Sequence, residues 1–160
     1  MSPKGGCATE VNTIEQNCVY TAEAHHTIAL RSKRLSGWFQ IIPASIAAVL
    51  GVLVGGGVVP DWFVWLSVMS AVIAAVGNIL NPMKDYYDNL NAAKNFTALK
   101  HDARALRDVF SSKMNDDEYM IAVQTLHSRY NDLLRFVPPT DEKSFERARK
   151  RVRDGIHKPD

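Results

Sequence analysis

Charge is almost missing from the centre of this sequence. From Trp38 to Met83 the one formally charged side chain is Asp61. That absence excludes an ordinary soluble helix, which needs a polar face. The other shortages exclude functions. With only 2 cysteines, Cys7 and Cys18, and no metal-type spacing between them, neither a disulfide framework nor a zinc site is expected; unpaired thiols fit a reducing cytosol. A net charge of +2 over 160 residues is too small to imply nucleic acid as a partner. The phosphate-loop and dinucleotide glycine patterns, the G-x-S-x-G elbow and H-E-x-x-H are all missing. The glycine run Gly55-Gly56-Gly57 precedes Pro60 rather than a strand–helix turn. The chain is therefore expected to be neither an enzyme nor a cofactor-binding protein. Nor do the first 30 or so positions carry a basic start, apolar run and small-residue cleavage site, so the first apolar segment is expected to be an uncleaved anchor.

What is present is a pair of apolar segments, Trp38 to about position 59 and Trp62 to Pro82. About 20 helical residues rising about 1.5 Å each cover the roughly 30 Å hydrocarbon layer. The fold expected is an all-α membrane protein with a two-helix transmembrane hairpin over 38–83. Arg31, Lys33 and Arg34 precede the first span and Lys84 follows the second, whereas the connection holds only Asp61. By the positive-inside rule both termini face the cytoplasm of a multi-pass protein in the inner (plasma) membrane. Trp38, Trp62 and Trp65 lie where indoles anchor at an interface.

Each span has two kinds of face. At 100° per residue Gln40, Ala44, Ala47, Gly51 and Gly55 share one arc, opposite Ile42, Ile46, Val49 and Leu53. Gly51 and Gly55 make a G-x-x-x-G pair, which lets helix backbones approach closely. On the second span Ser67, Ser70, Ala74, Asn78 and Asn81 share an arc. Such a stripe should not face lipid; it serves either as ordinary interhelical glue or as the lining of a pore built by several copies. Pro43 either kinks the first helix or marks where it starts afresh.

The flanks read as helices. Residues 1–12, with Pro3, Gly5 and Gly6, are expected to be a loose tail. Thr13 and Gln16 suggest a capping box opening a helix over 13–37, with Ile14, Cys18, Ala22, His25 and Ala29 as one stripe. His25 and His26 point about 100° apart, so a shared metal is not expected. Residues 84–155 form a cytoplasmic helical region. Its first helix runs to about Phe110 with the stripe Tyr86, Leu90, Ala93, Thr97, Ala103, Leu106 and Phe110. A second opens at Asn115, carries Tyr119, Ala122, Val123, Leu126, Tyr130, Leu133 and Val137, and stops before Pro138-Pro139. A third, capped by Thr140 or Asp141 and closed by Gly155, combines Phe145, Ala148 and Val152 with a basic run from Arg147 to Arg153. That run suits a solvated face, anionic headgroups or an acidic partner better than nucleic acid. Residues 156–160 are a tail.

The order is a cytoplasmic helix, a tight hairpin, a long exit helix and further helices. The stretches Tyr20–His26 to Arg34, Asn95–Leu106, Arg129–Leu134 and Phe145–Lys150 carry it. In this the chain resembles the SLATT family, small two-transmembrane effectors found with nucleotide-second-messenger synthetases and sensors in bacterial defence loci. The resemblance spans about Asn12 to Gly155 and rests on layout rather than one specific motif. It implies a membrane effector that oligomerises, opens a pore and harms an infected cell (abortive infection), with no catalytic residues. The trigger implied is a sensor or synthetase partner protein, or a small nucleotide at the cytoplasmic helices, since the chain has no length for a fused ligand-binding domain. Two rival readings are a membrane scaffold without a pore and a tethered nucleic-acid binder.

Overall fold

The computed structural model describes residues 3–57 and 61–154, with side chains from Gly5 onward. Pro60, Gly155 and the tail 156–160 lie outside the described residues. Among those described the fold is all-helical, with no strand: α1 (Pro3–Gly55), α2 (Trp62–Leu80), α3 (Pro82–Ala105), α4 (Asp116–Phe136) and α5 (Glu142–Arg153). A π-helical turn, Leu106–Phe110, extends α3. The chain divides into two compact units, one of Met1–Ala29 with Tyr87–Asp160, the other Leu30–Tyr86.

The first unit is built on α1, α3, α4 and α5. Val11, Ile14 and Cys18 of α1 are buried with Phe96, Leu99 and Ala103 of α3, Leu106 of the π turn, and Tyr119, Val123 and Leu126 of α4. This packing corrects the expected loose tail, because helix α1 starts at Pro3 and includes Gly5 and Gly6. Nor does Thr13 open a helix. Its hydroxyl donates to the Thr9 carbonyl within one continuous helix (3.0 Å). Burial of Val11 and Ile14 outweighs the roughly 1 kcal/mol per glycine that local propensity counts against a helix. Arg107 ties the π turn to Glu15 of α1, and Arg129 of α4 reaches Asp102 of α3 at 2.8 Å.

On α3 the buried face differs from the expected stripe. Asn89, Ala92, Phe96 and Leu99 are buried beside Ala93, Ala103 and Leu106, whereas Thr97 and Phe110 are exposed. The helix meets α1 and α4 together, so its contact face is wider than one periodic row. Asn115 opens α4 with a reciprocal cap: its side chain accepts from the Glu118 N–H, and Glu118 accepts from the Asn115 N–H. At α5 Asp141 holds the cap position without a side-chain cap bond, and Ser144 and Ala148 are buried.

The second unit is an antiparallel pair formed by the later part of α1 and by α2. The most apolar 18-residue windows of its two helices have mean hydropathy 1.9 and 2.1, and only 6% of each is buried. A soluble core helix of that composition would be mostly buried. These two helices are long and apolar enough to cross a membrane. α1 passes Pro43 unbroken, although proline leaves the Phe39 carbonyl without its usual helical donor.

Candidate functional site

The two helices of the hairpin meet along rows spaced three and four residues apart. On α1 the less exposed positions include Ser36, Phe39, Pro43, Ile46, Leu50 and Leu53. On α2 they include Phe63, Leu66, Ser70, Ile73 and Gly77. Gly77 is the most closely approached of the described glycines. A Cβ added there would stand 2.8 Å from the Phe39 Cβ. A further tie is polar, the Ser70 hydroxyl donating to the Pro43 carbonyl at 3.4 Å.

This seam separates the two candidate faces. The row Gln40, Ala44, Ala47, Gly51 and Gly55 is exposed and does not form the seam. Nothing lies within 4 Å of a Cβ built at Gly51 or Gly55. The small-residue face of α1 is thus unpartnered among the described residues. Helix–helix contact inside the hairpin instead takes in Ile46 and Leu53 from the bulky arc opposite, whereas Ile42 and Val49 of that arc stay exposed.

The stripe Ser67, Ser70, Ala74, Asn78 and Asn81 divides among three roles. Ser67 donates to the Val64 carbonyl of its own helix at 2.7 Å, and Ser70 joins the seam. Ala74, Asn78 and Asn81 line a cleft of about 410 Å³, facing Ser36, Gln40 and Pro43 of α1. The Asn78 amide has no hydrogen bond among the described residues and is exposed. With Ser36, Gln40, Asn78 and Asn81 on its walls, the cleft is polar and roomy enough for water.

Asn81 also makes the corner. It adopts the left-handed conformation (φ 41°), its N–H donates to the Gly77 carbonyl, and its Oδ1 accepts from the Lys84 N–H at 3.3 Å. One residue thus closes α2 with its backbone N–H and opens α3 with its side chain, with Pro82 at the first helical position where its missing N–H costs nothing. Of the residues expected to anchor at an interface, Trp38, Trp62 and Trp65 are exposed. The Lys33 ammonium sits over the Tyr86 ring, 5.6 Å from its centre. Arg31, Arg34 and Lys84 are exposed, as are Asp61 and the turn at Gly56-Gly57.

Elsewhere His25 is buried. Its Nδ1–H donates to Asn89 Oδ1 at 2.9 Å, and its ring stacks on Phe96 at 5.9 Å. Burial lowers the His25 pKa below the usual range, with the Asn89 bond opposing. Burial chiefly, then nearby Glu15, raises the Cys18 thiol to about 12. Sequence reasoning passed over Gly77 and Asn89. The signal for Gly77 was its place one turn from Ala74; Asn89 had none, because its partner is far along the chain. No family model, curated protein or solved structure matches this chain.

Proposed function

We propose that this chain is a self-associating two-span membrane effector that opens a pore, acting in bacterial anti-phage defence. The observation carrying this reading is the empty face Ala44, Ala47, Gly51 and Gly55 on an apolar helix. Small residues turned to lipid gain little there, whereas against a second copy they allow close backbone contact. The unpaired Asn78 amide adds to it: in hydrocarbon it requires a neighbouring copy or water. In this reading α1 and α2 span the inner membrane, with Arg31, Lys33, Arg34 and Lys84 on the cytoplasmic side and Asp61 outside. The resemblance in layout to SLATT effectors supports the defence role, with a sensor or synthetase as partner.

Replacing Gly51 and Gly55 together with leucine is expected to abolish both assembly and dye leakage from liposomes. Unchanged leakage from an unassembled variant would refute the reading. A second reading, a scaffold that anchors a cytoplasmic partner without conducting, is favoured by Ser70, whose hydroxyl is spent inside the hairpin. Expressing the chain alone and following a membrane-potential dye separates the two, because a scaffold leaves the potential intact.

A further inference from the structure

The helical unit contains a groove of about 450 Å³ between α1 and α3. Pockets of this size hold small organic ligands. Its floor is aliphatic, from Val19 and Ala22 on α1 and Leu90 and Ala93 on α3. Lys94 and Lys100 rise from α3 at its edges. Six helical residues apart, they stand about 9 Å apart along the axis and about 120° apart around it, so they bracket the apolar strip. Among the described residues neither ammonium has an ion pair or hydrogen bond. The one carboxylate lining the groove, Glu23, is already held by Arg151 of α5 at 2.6 Å. The groove therefore combines an apolar bed, two uncommitted cations and a neutralised acid. His26 adds a ring on the same wall.

We propose that this groove binds a small soluble organic phosphate, its compact apolar body on the aliphatic floor and its phosphate oxygens on Lys94 and Lys100. Lysine binds phosphate as a point charge, which suits flanking groups on flexible stems. The inference is independent of whether the hairpin conducts.

The test uses the full chain in phosphatidylcholine nanodiscs with phenyl phosphate as the probe, followed by ligand-observed NMR. A dissociation constant of about 1 mM or tighter is expected for a ligand this small. Lys94→Gln with Lys100→Gln is expected to weaken binding at least ten-fold with the helical circular dichroism unchanged, while Lys143→Gln leaves it unaltered. Inorganic phosphate and phenol should each bind at least ten-fold more weakly than phenyl phosphate. No detectable binding, full binding by the double variant, or equal binding of inorganic phosphate would overturn the proposal. In a second arm the nanodiscs contain phosphatidylglycerol. Retained binding of phenyl phosphate supports a soluble ligand; its displacement assigns the groove to lipid headgroups and overturns that assignment.

Discussion

Alanine at position 77 should weaken the hairpin, whereas alanine at position 51 should not. The new Cβ at 77 would sit 2.8 Å from Phe39 Cβ, 3.0 Å from Cγ and 3.1 Å from Cδ1. Carbon atoms prefer about 3.5–4.0 Å. The nearest atom is Phe39 Cβ, fixed to the backbone, so a rotamer change cannot relieve the clash and the helices must part. Overpacking of this kind costs about 1–3 kcal/mol. Against it stands a gain of about 1 kcal/mol, because alanine is the better helix former. The net loss is up to about 2 kcal/mol, or about 4–8 °C in unfolding midpoint for a chain of this size. At Gly51 nothing lies within 4 Å, so only the propensity gain remains. Thermal unfolding by circular dichroism in neutral detergent should therefore show Gly77→Ala melting lower than Gly51→Ala. Equal midpoints, or a higher one for Gly77→Ala, would refute the seam described above.

Other expectations are independent of the hairpin. Because the folded His25 pKa lies below its unfolded value near 6.5, its neutral form is favoured by folding. The stability at stake is fully present above about 6.5 and is lost as pH falls through the lower folded value; His25→Gln should flatten this part of the melting-versus-pH curve. Cys18, buried and raised to about 12, should resist maleimide at pH 8 until the chain unfolds, while half-buried Cys7 labels first. Arg151→Ala should cost about 1–2 kcal/mol by leaving the buried Glu23 carboxylate short of a partner, a figure kept low because Arg151 is 43% exposed. Glu23→Gln combined with Arg151→Ala should recover most of that loss, and failure to do so in denaturant melts would remove the pair from the account.

Local signals carried much of the architecture. The two apolar runs stand out because composition and length alone mark a segment apolar enough to cross a bilayer. Asn115 and Glu118 sit three residues apart, which is all that a reciprocal cap needs, and Pro138-Pro139 lies just beyond the end of α4 at Phe136. The N-terminus was misjudged for the opposite reason. Pro3, Gly5 and Gly6 argue locally against a helix, but Val11, Ile14 and Cys18 share one buried core with Phe96 and Tyr119, which lie far along the chain. The polar stripe of α2 was legible as a row of positions. Its division was not: Ser67 bonds its own helix, Ser70 bonds across the hairpin, and Asn81 turns the corner.

The amino-acid sequence by itself determined that the chain is helical and holds two segments apolar enough to cross a bilayer. Hydrophobicity and periodicity are properties of neighbouring residues, and no tertiary contact alters them. Only the tertiary structure decided which face of each segment is already occupied. A glycine at 51 and a glycine at 77 are chemically the same, but one faces open space and the other supports Phe39. That difference depends on the register of two helices, set by contacts such as Ser70 on Pro43, whose partners no local pattern connects.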